Sequence, residues 1–319
     1  MSRSNICHAA LSLPVALLLV GCVDPTAELD DLEELDEIDQ IGGAQQALTD
    51  GVPTGPGGYE LAFEVSTGDQ REYFLYLPDG YLQNRAQPYP LVAMFHGLGG
   101  SAASFAATLD AAGLRDLANQ QDKIVVFLQG TLGLTITQQG FWNLGSGGRD
   151  DVLYTQELLD HLASELDVDE TRVFAGGHSL GGRFVHELGA RDPSRFRAIA
   201  DVSGFYGTPA GEPAAPPAGT LLPVLIVHGA VDPVVPLAGG PVFLPTEYNY
   251  TSWYANDDCT EPTNRLLSLF WDIETTVCRA GTTHPIIQRV IVSGLDHHWP
   301  RTADGFDASS EMLDFFDMQ

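Results

Sequence analysis

From Tyr59 the chain alternates apolar and polar residues, and Glu60 to Ser66 and Arg71 to Leu77 flank Thr67-Gly-Asp-Gln70, which predicts an antiparallel hairpin. Beyond it, short apolar runs alternate with helical spacing. The runs are Leu91 to Phe95, Ile124 to Leu128, Val173 to Ala175, Ile199 to Val202, Val224 to Val227 and Ile286 to Val292. Helices are predicted over Leu114 to Gln120, Val152 to Glu165, Gly182 to Ala190, Thr246 to Ala255 and Ala308 to Phe316. Continuous apolar strands interleaved with helices predict a mostly parallel sheet covered on both faces. In such sheets ligand chemistry gathers beyond the carboxyl ends of the strands, so every strand exit is a place to look for function.

Ahead of this pattern, Arg3 precedes an apolar run from Ala9 to Val20, twelve residues where a membrane-spanning helix needs about 20. A signal for export fits that length better than a spanning anchor. The run ends in Leu19-Val20-Gly21-Cys22, which resembles the lipobox of bacterial lipoproteins. The resemblance implies a lipid on Cys22 and a place at the cell envelope or surface; an ordinary signal peptide, with secretion, is the alternative. Residues 22 to 50 then hold ten acids and no base, and Gly51 to Gly58 is rich in Gly and Pro. Like charges repel along such a stretch, so a solvated tether is expected. The expected division is signal 1–21, tether 22–58 and one domain over 59–319.

Composition narrows the function. The 319 residues carry 43 acids against 15 bases, a formal net charge of -28, and from residue 51 onward 33 acids still face 14 bases. Such a surface repels phosphate, which excludes nucleic-acid binding and suits a neutral substrate. A monomer is expected. Of the four cysteines, Cys7 leaves with the signal and Cys22 is the lipid site, so Cys259 and Cys278 remain. Two thiols in an oxidising compartment most simply pair, closing a loop worth roughly 3 kcal/mol in the chain-entropy model. A metal site there would need two further ligands at close spacing, and only His284 is near.

The chemistry concentrates at three strand exits. Gly177-His178-Ser179-Leu180-Gly181 leaves the strand around Val173 to Ala175 and enters a helix. Such a reversal exposes a strained serine at the top of the sheet, although with 34 glycines in the chain the pentapeptide alone is weak. A serine hydroxyl needs a base to take its proton and an acid to orient that base. Asp232 follows the strand Val224 to Val227, and His297 or His298 follows Ile286 to Val292, giving the order nucleophile, acid, histidine. The residues alone leave the two histidines near parity. Zinc at Asp296-His297-His298 fails because three consecutive residues rarely converge on one ion. His178, His186 and His161 read as packing or surface residues. An oxyanion needs backbone donors, and these are expected from Leu180 and, in the turn His96-Gly97-Leu98-Gly99-Gly100, from Leu98.

Taken together, Pro90 to Gly97, Phe141-Trp-Asn143, Arg149-Asp-Asp-Val152, Val168 to Val173, Gly177 to Gly182, His228 to Pro236 and Phe306-Asp-Ala308 resemble carbohydrate-esterase-family-1-like α/β-hydrolases. This group comprises feruloyl and acetylxylan esterases with the short-chain polyhydroxybutyrate depolymerases. The resemblance implies an α/β-hydrolase fold and a serine ester hydrolase acting without cofactor or metal. Its closing Gly-x-Gly-His-x-Trp-Pro motif, aligned to Gly294 to Pro300, selects His297. It also implies a disulfide where Cys259 and Cys278 stand. Trp142, Phe141, Tyr206 and Trp299 are expected to shape the acyl or sugar site. Two departures stand out: His178 and Leu180 occupy a motif more often written Gly-Leu-Ser-Asn-Gly, and Asp296 replaces a Gly. An extra carboxylate beside His297 is expected to raise its pKa and move activity to higher pH. The rival readings are a serine peptidase of the same fold and an inactive hydrolase-like binding protein.

Overall fold

A computed structural model describes residues 51–132, 140–143, 149–207, 217, 221–256, 263–266, 273–278 and 286–319. Cys22, the expected signal and most of the expected tether lie outside them. The first strand, β1 (Gly57–Glu64), pairs antiparallel with β2 (Gln70–Leu77) as the hairpin pattern predicts. Then follow β3 (Tyr89–Phe95), α1 (Ala102–Ala111), α2 (Leu114–Gln120), β4 (Ile124–Leu128), the two-residue strands β5 (Thr131–Leu132) and β6 (Gly140–Phe141), and α3 (Asp151–Glu165). The rest runs β7 (Val168–His178), α4 (Leu180–Arg191), β8 (Ala198–Val202), β9 (Val224–Gly229), α5 (Glu247–Asn256), β10 (Thr263–Leu266), β11 (Ile273–Cys278), β12 (Ile287–Val292) and α6 (Ala308–Asp317).

Among the described residues, ten strands form one sheet in the order β1-β2-β4-β3-β7-β8-β9-β12-β11-β10, parallel from β4 to β12 and antiparallel at both margins. This is the α/β-hydrolase fold. Alternation along β3 shows why its run is apolar throughout. Leu91, Ala93 and Phe95 pack with α3, α4 and α5 through Leu158, Phe184 and Trp253, while Val92 and Met94 pack with α1, α2 and α6 through Leu109, Leu114 and Met312. Burying each of the larger side chains contributes about 1.5–3 kcal/mol, so both faces need their helices. After β3 the chain steps to β4 on one side and later returns to β7 on the other. The crevice where strand order reverses therefore opens between the exits of β3 and β7.

The expected Cys259–Cys278 disulfide is not shown by the described residues. Among the described residues no disulfide is indicated, since Cys278 is their single cysteine and Cys259 lies outside them. Cys278 itself is buried at the end of β11, and its sulfur is not free.

Candidate active site

Three loops leave parallel strands and meet. Ser179, between β7 and α4, has φ 55° and ψ -116°, a left-handed conformation that a non-glycine residue adopts only when its surroundings impose it. Two contacts do so: its amide donates to Val202 O at 2.9 Å, and the first turn of α4 lies against the end of β3. A methyl group on Gly181 would lie 2.0 Å from Phe95 O, so only glycine permits that approach.

Asp232 follows β9 and His297 follows β12, as expected. His297 Nε2 is 2.9 Å from Ser179 Oγ, and His297 Nδ1 is 2.7 Å from Asp232 Oδ2. A carboxylate only accepts, so Nδ1 carries the hydrogen and Nε2 is free to accept the serine proton. The other carboxylate oxygen of Asp232 accepts from the amides of Val234 and Val235, both at 2.8 Å. Burial pushes this carboxyl up, but the hydrogen bonds from His297, Val235 and Val234 outweigh it and hold the group below the usual carboxylate range. His298 turns to other partners. Its Nε2 meets Asp304 at 2.9 Å and its Nδ1 bonds Asp296, so the extra carboxylate beside His297 is taken up by His298.

The Leu180 amide is the first of α4, one of the N–H groups a helix leaves unpaired at its start. The Leu98 amide has no partner among the described residues. Its turn is held from both ends, for Gly99 N donates to Gly140 O at 2.7 Å and His96 Nδ1 donates to Gly97 O at 2.7 Å. His96 Nε2 accepts from Gly130 N at 3.0 Å, and burial drives this imidazole down to about 4, keeping it neutral. Beneath, Arg71 and Asp151 form a buried ion pair at 2.7 Å. Asp151 also accepts from Thr131 Oγ1 at 3.0 Å and from Asn143 N at 2.5 Å, which anchors the β5–β6 ribbon that supplies Gly140.

The four aromatic residues expected around a substrate fall differently. Trp142 is 2% exposed, stacks on Phe184 and donates to His96 O at 2.7 Å. Tyr206 packs against His186 and Trp253, and Trp299 against Phe105 and His178 while donating to Ser309 Oγ. These three are buried packing; Phe141 alone of the four is partly exposed. Leu180 instead joins Phe205, Val235, Val242 and Phe243 in a small apolar cluster beside the nucleophile. Composition signals would not have found His96 or the Arg71–Asp151 pair, because their role lies in which loops they join.

The sequence profile of the family described as "Putative esterase" matches residues 65–268, a span that holds Ser179 and Asp232. The chain belongs to this esterase family. A relative from Aspergillus terreus, named "Probable feruloyl esterase C", is 30% identical over 173 residues, 53% of this chain and 58% of the relative. Feruloyl esterase C of Emericella nidulans is 28% identical over 185 residues, covering 53% and 58%. The chain thus spans somewhat more than half the length of these curated relatives. Among solved structures, the acetyl xylan esterase from Aspergillus awamori superposes with a TM-score of 0.61 at 16% identity, over 82% of this chain and 100% of the other, a likeness of fold.

Proposed function

We propose that the protein is an exported serine esterase that forms an acyl-enzyme at Ser179. One observation carries the reading: Ser179 Oγ, the His297 ring and Asp232 stand in an unbroken hydrogen-bonded series at 2.9 and 2.7 Å. In this reading Ser179 attacks an ester carbonyl while His297 takes its proton. Asp232 holds the ring in the required tautomer and stabilises the imidazolium. The Leu98 and Leu180 amides hold the oxyanion, each donor contributing about 3 kcal/mol to the transition state. His297 then returns the proton to the leaving alcohol, and water repeats the sequence to release the acid. The substrates are neutral esters, namely feruloyl or acetyl groups on plant polysaccharide or a hydroxybutyrate polyester. Names among the relatives favour the feruloyl class, and the apolar cluster beside Leu180 suits an apolar acyl group. The same reading places a lipid on Cys22.

A fluorophosphonate reacts only with an activated serine. Wild type is expected to label and Ser179→Ala not to label, with hydrolysis of an activated acetate lost in parallel. Equal labelling of both proteins, or a folded wild type that does not react, sinks the assignment. Methyl ferulate, acetylated xylan, hydroxybutyrate oligomers and a peptide amide assayed together then separate the substrate classes.

A further inference from the structure

Three strand-exit loops converge at Ser179, and proton transfer among their side chains tolerates little misplacement: an error of about 1 Å costs as much as 100-fold in rate. One side chain joins the nucleophile elbow to the histidine loop and to the turn after β3. His178 immediately precedes the nucleophile at the end of β7. Its Nε2 lies 2.8 Å from the carbonyl oxygen of His297, and a methyl group on Gly97, in the turn after β3, would lie 3.4 Å from its Nδ1. A carbonyl only accepts, so Nε2 carries the hydrogen. Neighbouring rings confine the imidazole, with Phe105, Trp299 and His297 at 6.4, 6.2 and 5.2 Å between centroids.

Burial, with the nearby His297 adding to it, drives the His178 pKa down to about 4. The ring is therefore neutral near pH 7, and it sets no positive charge against an imidazolium at His297. The flanking residues are tied elsewhere, Leu295 O accepting from Val231 N and Trp299 Nε1 donating to Ser309 Oγ, so the bond matters at His297 itself. Among the described residues, no other hydrogen bond reaches the main chain of His297.

We infer that His178 is a positioning residue, whose Nε2–H bond to the His297 carbonyl fastens the histidine loop to the nucleophile elbow so that base and nucleophile keep their spacing. The inference rests on Ser179 and His297 acting as nucleophile and base. That premise is checked separately by turnover of an activated acetate by wild type and its absence in Ser179→Ala.

His178→Leu removes the donor and keeps apolar bulk, whereas His178→Gln returns an N–H at about the same reach. The leucine variant is expected to lose about 10- to 100-fold in kcat with KM within about twofold of wild type. The glutamine variant should recover kcat to within about fivefold of wild type, and the rate of fluorophosphonate labelling should follow kcat in both. Thermal unfolding shows which variants are folded at the assay temperature. If His178→Leu is not, His178→Asn, whose amide stops short of the His297 carbonyl, takes its place. A folded leucine or asparagine variant within twofold of wild-type kcat overturns the inference. Equal losses in folded leucine and glutamine variants also overturn it, because they assign the effect to ring packing. An inactive wild type would instead overturn the catalytic reading.

Discussion

His297 and His298 are neighbours in the chain, yet one ring faces Ser179 and Asp232 and the other faces Asp304 and Asp296. Side-chain chemistry does not tell two adjacent imidazoles apart; only the path of the loop decides, which is why the residues alone left parity and a motif pointed to His297. The four aromatics show the same limit, because a large ring in a hydrolase sequence reads equally as wall or as packing, and three of them are packing. Partial burial pulls His298 down, but its bonds to Asp304 and Asp296 more than offset this, so its pKa stands above the ordinary value. A raised folded-state pKa contributes stability that is fully present below the unfolded value, near 6.5, and is lost as pH rises through the folded value. His298→Gln is therefore expected to lower the melting midpoint at about pH 5.5, by about 1–3 °C for so exposed a pair, and to leave it unchanged near pH 9. A larger drop at the higher pH would show that the ring stabilises by packing.

At the level of elements, strands with strong apolar runs were legible and α1 was not. Ala102 to Ala111 has small and apolar residues on nearly every side, so no helical stripe emerges, and its cap is a Ser101–Ser104 box without the Glu or Gln that usually signals one. The antiparallel margins β10 and β11 were missed for another reason: they are short strands whose pairing partners are set by the finished sheet. The elbow was legible because its constraint is local. It follows that α4 tolerates no added atom where it meets β3. Gly181→Ala is expected to cost about 3 kcal/mol through overpacking, and so to lower the melting midpoint by about 6–12 °C. In the segment between β9 and α5, Gly240 has open space around it and an ordinary φ, so Gly240→Ala is expected to stay within about 2 °C of wild type. Circular-dichroism melts of the two proteins check the contrast, and similar midpoints would show that the elbow relaxes more readily than its contacts indicate.

For the whole molecule, the alternation of strands and helices was enough to indicate the fold class, because a sheet buried on both faces leaves few other arrangements. The charge bears on a different question, how the proposed exported enzyme would stay at a membrane. A single acyl chain binds only marginally, with an association constant of about 10⁴ M⁻¹, and stable attachment takes two signals, such as two chains or one chain with a basic patch. A formal charge of -28, with no lysine or arginine between residues 22 and 50, removes the second kind and adds repulsion from anionic headgroups. If Cys22 is lipidated, hydrocarbon must supply the whole of the attachment. Each buried methylene adds about 0.8 kcal/mol, and hydrocarbon burial is not weakened by salt, whereas an electrostatic contribution would be screened at about 1 M, where the Debye length is near 3 Å. In cells that process such signals, wild type is expected to sediment with membranes and remain there through a wash at about 1 M salt. Cys22→Ser should appear in the soluble fraction with kcat/KM on a small soluble ester within about twofold of wild type. Release of wild type by salt, or equal sedimentation of the serine variant, would remove the lipid from the account and leave a secreted esterase held, if at all, by its surface.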